Sequence, residues 1–254
     1  MKKLLHAIVM FLLVGAGALL CTGCKAKEAD ASGFLSQPDL LKQDGTTPFQ
    51  KTYWNRKYAK TQFTEVYVAP VNTDYIMSQN MWEKASAASI NRDQVKKDVQ
   101  MMADYTRQAF IKAIQEDPKR RYKVVDKVGP QTLILELALT QLVPSKAALQ
   151  AIGYVTWVPA VVRVSGAVST GSQDTGKGVV AIEGRARDGA TGELVAMFAD
   201  REAPREGIVD LKALNWWAPA KEIIDTWAKQ LVHLAQRRPG EVVEDSPTFE
   251  LLIW

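Results

Sequence analysis

Cysteine is nearly absent from this chain. Of 254 residues only two are cysteine, Cys21 and Cys24, and both stand close to the amino terminus. The rest of the chain can therefore form no disulfide and offers no thiol nucleophile, so its core must hold by packing alone. Histidine is as scarce, with His6 and His233 as the complete set. A histidine-based zinc site takes two or three such ligands, and a Ser-His-Asp triad needs its one histidine in a cleft. His233 falls in a strongly helical stretch and is read as a surface or packing residue. An excess of one charge is also missing: 32 basic residues face 28 acidic ones for a net of +4, and Lys2 and Lys3 supply part of that surplus. Nothing in this balance calls for nucleic acid. The densest basic cluster, Lys119-Arg120-Arg121 with Lys123, is read as a solvated helix end. No internal repeat is visible, and the longest apolar run, Leu4 to Leu20, falls short of the roughly 20 residues that span a bilayer.

That apolar run has a different use. Lys2 and Lys3 precede it and Cys21-Thr22-Gly23-Cys24 follows it, which is the three-zone layout of a secretory signal. Its end resembles a lipobox, in which small residues precede a cysteine that receives a diacylglyceryl group and becomes the new amino terminus. Thr22 and Gly23 supply the small residues, and cleavage is expected between Gly23 and Cys24 with the lipid on Cys24. Cys21 stands where a lipobox usually has Leu and cannot itself be the acceptor, because Leu20 before it is too large. Lys25 follows the acceptor in place of the Asp that known sorting rules associate with inner-membrane retention. The expected location is the outer membrane, lipid-anchored and facing the periplasm.

The chain then divides into 1–23 as signal peptide, 24–62 as acylated terminus and tether, and 63–254 as the globular domain. From Lys25 to Gln62 the composition is rich in Lys, Asp, Gln, Ser and Thr, with Pro38, Pro48 and Gly45 breaking any period. A fully flexible tether of that length would hold its ends on the order of 35 Å apart. Phe34-Leu35 and Tyr53-Trp54 argue that parts of it dock on the domain. Beyond it, Thr64 to Val71 is β-rich, and Asn91 is placed to cap a helix running from Arg92 to about Glu116, with Val95, Val99, Met102, Ala109 and Ala113 at helical spacing. Pro118 ends that helix. Tyr122 to Lys127 and Thr132 to Val143 read as strands, the second with Leu133, Leu135, Leu137 and Leu139 on one face. Gly178 to Arg187 and Glu193 to Arg201 form a hairpin about the turn residues Asp188 to Gly192. A last helix is expected from Leu211 to Gln236, with Ile224, Trp227, Leu231 and Leu234 inward and Lys221, Asp225 and Lys229 outward. The fold class is α+β: a mostly antiparallel sheet of about five strands with two long helices on one face, a single domain behind a lipid-anchored tether.

The lipobox, Ser32-Gly33-Phe34-Leu35, the hairpin from Glu183 to Glu193, Phe198-Ala199-Asp200-Arg201-Glu202 and Phe249 together resemble one group of Gram-negative lipoproteins, the family with domain of unknown function 3313. The resemblance covers nearly all of the mature chain. Its motifs are turn and strand residues, so it implies a common fold and an outer-membrane location and brings no catalytic residues with it.

Three further constellations matter. Gly171 to Gly178 nearly matches a phosphate-binding loop, but Gly178 has no hydroxyl for magnesium and the loop leads into a strand where a helix is needed, so no nucleotide is expected. Glu136 and Asp200 are the candidates for a carboxylate pair, which a glycosidase needs roughly 5 to 10 Å apart in a cleft. The seven tryptophans include Trp157, which sits in the apolar stretch Ala147 to Val168; this stretch reads either as a buried insertion packed on the sheet or as an interface, and in the second case Tyr154, Trp157 and Val158 are the expected partner-binding residues, since aromatic side chains anchor interfaces and an apolar patch is rarely left open. The functional expectation is a non-enzymatic, lipid-anchored binding or assembly module for another envelope component, a protein or peptidoglycan, with no cofactor, metal, nucleotide or nucleic acid. The alternative is a peptidoglycan hydrolase using the carboxylate pair.

Overall fold

The alternating leucines build the central strand of a six-stranded sheet, seen in a computed structural model that describes residues 28–59, 61–77, 92–143, 179–203, 217–238 and 240–245. The strands are β1 (Lys51–Trp54), β2 (Glu65–Val68), β3 (Lys123–Val124), β4 (Thr132–Val143), β5 (Val179–Asp188) and β6 (Leu194–Glu202). Among the described residues the helices are a short α1 (Asp74–Met77) and two long ones, α2 (Arg92–Gln115) and α3 (Ala218–Gln236), with a 3-10 turn at Pro38–Leu40. The order across the sheet is β1-β6-β5-β4-β2-β3.

The α+β class and the five strands expected from Thr64 onward are present. The directions and the count differ from expectation. β1, β6, β5 and β4 are antiparallel neighbours, whereas β2 pairs in parallel with both β3 and β4, so the sheet is mixed. The cause is α2: a helix between two neighbouring strands carries the chain back to the end at which the first strand began, and the next strand then enters in the same direction. The β5–β6 connection is a tight hairpin. There Gly192 adopts a φ of +71°, a conformation that a side chain disfavours, and its N–H donates to the Asp188 carbonyl at 2.7 Å.

The sixth strand comes from the stretch read as tether. Lys51–Trp54 pairs with β6 along the sheet edge. Phe34, Leu35, Phe49 and Tyr58 are buried. Phe34-Leu35 dock as anticipated and Tyr53-Trp54 are held by pairing with β6, the Trp54 side chain staying exposed, so the segment is not a free tether from Ser32 onward.

The main core lies between the helices and one sheet face. Leu135, Leu137 and Leu139 of β4 meet Met102, Phe110 and Ile114 of α2 and Ile224 and Trp227 of α3. Thr106 is completely buried in this interface and returns its hydroxyl to the Met102 carbonyl at 2.7 Å, which satisfies a polar group that water cannot reach. The helices run parallel: Tyr105 donates to Asp225 at 2.9 Å, while Asp117, just past α2, bonds Gln236 at the end of α3. Lys221 and Asp225, expected on the solvent side, instead frame this seam, with the Lys221 ammonium 4.7 Å from the centre of the Tyr105 ring. Burial and the Asp225 carboxylate push the Tyr105 hydroxyl up to about 12. Lys229 is exposed as expected.

Candidate functional site

The strand register explains where space is left in the core. Leu139 stands beside Ile182, which in turn stands beside Asp200, and bulky groups of α3 cover that end of the sheet. Two residues further along, Leu137, Gly184 and Phe198 share a row, and two further, Leu135, Ala186 and Ala196 share the next. A Cβ on Gly184 would lie 2.2 Å from the Phe198 ring, so glycine is required for that ring to lie flat across β5. The ring packs in turn against Phe49, with centroids 4.5 Å apart and the two planes tilted by 31°. Beyond it two alanines face α3, and α3 answers with Ala228 and Ala235. Small groups on both sides leave a cavity.

That cavity measures about 1040 Å³, the upper end of the range of small-molecule sites. Phe63, Phe110, Ile114, Leu133 and Leu231 supply its apolar walls. Its charged lining residues are Lys42, Arg56, Arg121, Arg237 and Arg238 on the basic side and Asp44 on the acidic side. Asp44 is engaged within the rim: Arg237 lies 3.8 Å away, and its carboxyl, bonded by the Thr46 hydroxyl and then the Thr46 N–H, is held below the usual carboxylate range. Lys42, Arg56 and Arg238 are exposed and Arg121 and Arg237 half-buried, so the basic groups ring an opening rather than the interior. Both long helices end here, and cations at helix C-termini are favoured by the partial negative charge of the last carbonyls.

The opposite sheet face carries a polar cluster. Glu136 accepts from Arg185 at 2.7 Å and from Arg187 at 2.9 Å. Arg185 also donates to the Phe34 carbonyl at 2.9 Å and lies 4.5 Å from the centre of the Phe34 ring. The buried Glu183 accepts from the Ser32 hydroxyl at 2.7 Å and the Ser32 N–H at 3.1 Å. Ser32-Gly33-Phe34-Leu35 is thus the point at which the amino-terminal segment fastens to the sheet. Burial opposes ionisation of Glu136, yet the two guanidinium groups outweigh it and hold its carboxyl below the ordinary 4.5.

The two candidate carboxylates do not meet. Glu136 alternates with the core leucines of β4 and faces the Arg pair. Asp200 is buried on the helix side, accepting the Trp227 indole N–H at 2.7 Å and the Gln50 N–H at 3.2 Å. His233 is exposed on α3. Trp217 is buried at the start of α3. Gly23, Cys24, Tyr154, Trp157, Val158, Ala147 to Val168, Gly171 to Gly178, Asn91, Trp216 and Phe249 lie outside the described residues. Among the described residues no group of three or more His, Cys, Asp or Glu could hold a metal, and no helix is long and apolar enough to cross a membrane.

The cavity was not anticipated from sequence. The pair Ala186 and Ala196 on the inward face of an otherwise bulky hairpin was the available signal, as was Arg237-Arg238 directly after a helix. Neither singles out a cavity until the register and the helix positions are known.

No curated protein matches this chain. Among solved structures it is similar to the PelC dodecamer from Paraburkholderia phytofirmans, at 8% identity over 74% of this chain and 96% of that one, with a TM-score of 0.37. It is also similar to lipoprotein GNA1162 from Neisseria meningitidis, at 12% identity over 63% of this chain and 97% of that one, with a TM-score of 0.23. No residue role is carried over from either. The family model described as "Protein of unknown function (DUF3313)" matches residues 30–231, from just before the Ser32 latch into the middle of α3, and the chain belongs to that family.

Proposed function

We propose that this protein is a lipoprotein anchored in the outer membrane through Cys24, facing the periplasm, whose α+β domain binds another component of the envelope and catalyses no reaction. The anchor rests on the signal and lipobox of residues 1–24. The binding reading rests on one observation, the open apolar cavity between α2, α3 and the β4–β6 face. A packed domain of this size has no structural need for a cavity of about 1040 Å³, because interiors otherwise close to the density of organic crystals. The hydrolase alternative lacks support from the carboxylates that suggested it, since Glu136 is committed to two arginines and Asp200 to Trp227 on the other face.

Two measurements test the two halves. Cys24→Ala should abolish incorporation of labelled palmitate and release the protein from the outer-membrane fraction; continued labelling would remove the anchor from the reading. For the binding half, the exposed cavity residue Thr61 is replaced by the photo-crosslinker p-benzoylphenylalanine in growing cells. A discrete adduct with an envelope component is the expected result. Illumination that yields only the unmodified chain, with the variant folded and abundant, would sink the binding module.

A further inference from the structure

The cavity has a second property besides its size, a division between its walls and its rim. The walls are hydrocarbon, while Lys42, Arg56, Arg121, Arg237 and Arg238 outnumber Asp44 at the opening. Asp44 is already answered by Arg237 and Thr46, so it does not neutralise the rest. Arg121 is further fixed: its backbone N–H donates to Asp117 at 3.2 Å and its guanidinium lies 5.5 Å from the centre of the Tyr122 ring, with Tyr122 itself in the cavity wall. Apolar matter inside and net positive charge at the entrance are complementary to one class of molecule. A neutral hydrocarbon would leave the cations without a counter-charge, and a soluble anion would leave the walls in contact with water.

From this the geometry points to an amphiphile with an acyl chain and a single anionic headgroup as the ligand, its chain between Phe110, Ile114, Leu133 and Leu231 and its headgroup at Arg121 and Arg238, since Arg237 is held by Asp44 and Thr46. The assignment rests on the binding reading above and specifies its ligand. Arginine suits the role because its planar fork grips a carboxylate or phosphate with two parallel hydrogen bonds. Ala186, Ala196 and Ala228 then serve as the floor and roof that admit the chain.

The probe is palmitate, with hexadecanol as its uncharged counterpart, each isotopically labelled and added to the full acylated protein in a neutral detergent. Native mass spectrometry reads the adducts. The intact protein is expected to retain one palmitate per chain and to bind hexadecanol more weakly. Arg121→Glu combined with Arg238→Glu should weaken palmitate by roughly ten-fold or more, the worth of one charge-assisted hydrogen bond, and leave hexadecanol nearly unchanged. Ala196→Phe with Ala228→Phe, which fills the chain site, should abolish both. If charge reversal leaves palmitate untouched while the filled cavity loses both probes, the anionic class is wrong and the binding module stands. If the intact chain takes neither probe but a chain ending at Asp245 takes palmitate, the protein's own apolar tail is the occupant and the assignment falls. If neither form binds either probe, the assignment also falls, and the Thr61 crosslink then decides separately whether anything enters the cavity.

Discussion

Replacing Trp227 by Ala is expected to lower the unfolding free energy by about 4 kcal/mol, a large share of the roughly 5 to 15 kcal/mol that holds a domain folded. The indole is completely buried, packed in the core between the helices and the sheet. The expected loss has two parts that a second variant separates. Truncation removes apolar burial and opens a cavity. It also removes the N–H that donates to Asp200 at 2.7 Å, a bond within the interior. Trp227→Phe keeps one six-membered ring in the core and deletes the donor, so it should cost less, about 1 to 3 kcal/mol. Urea unfolding of both variants beside the parent checks this. A Phe variant as unstable as the Ala variant would mean that the hydrogen bond dominates, and an Ala variant within about 1 kcal/mol of the parent would show that this part of the core is not packed as described.

The second large effect is expected at Glu136, on the other sheet face. Glu136→Leu should cost about 2 to 3 kcal/mol, because it leaves two half-buried guanidinium groups without the carboxylate that answers both. Residual solvent access, with side-chain exposures of 28% for Glu136, 18% for Arg185 and 31% for Arg187, keeps the figure below that of a fully buried pair. The effect should spread to the amino-terminal segment, since Arg185 also holds the Phe34 carbonyl and ring. Hydrogen exchange in residues 32–41 is expected to accelerate in the variant while α2 and α3 keep their protection. Unchanged exchange there would sever the proposed link between the ion pair and the latch.

The same carboxylate makes a pH prediction with a defined sign. Burial resists the charge on Glu136, but Arg185 and then Arg187 prevail, so its folded pKa lies below the ordinary 4.5. A group whose pKa is depressed by folding adds stability above its unfolded pKa and loses it as the pH falls toward the folded value. Stability should therefore decline as acid is added below about 4.5, and this part of the decline should be missing in Glu136→Gln. Tyr105 acts at the opposite limit. Its hydroxyl is held protonated by burial and by Asp225, so its contribution is complete below the ordinary value of 10.0 and fades as the pH rises toward about 12.

Much of this molecule is set by local pattern, and for physical reasons. The period-2 leucines of β4, the turn residues at Asp188 to Gly192 and the helical spacing of Val99, Met102 and Ala109 each act over a few neighbouring residues, so the elements they specify could be located from the chain alone. The signal and lipobox proposed for residues 1–24 are a reading of the same local kind, because such signals are linear sequence patterns. Long-range placement is different. Whether β2 pairs with β4 in parallel depends on how α2 crosses the sheet, which no residue in either strand encodes. β1 becomes a strand because β6 presents an unpaired edge to it; Lys51 to Trp54 alone has no pattern that requires this. The same holds for the sites. Glu136 and Asp200 look equivalent as acidic residues on strands, and only the pleat sends one to the arginines and the other to Trp227. The cavity is the clearest case, since it is made of small residues on β5, β6 and α3 that are distant in sequence, and of basic residues from four separate segments. Space is a property of how elements meet, so it exists only once the helices are laid on the sheet.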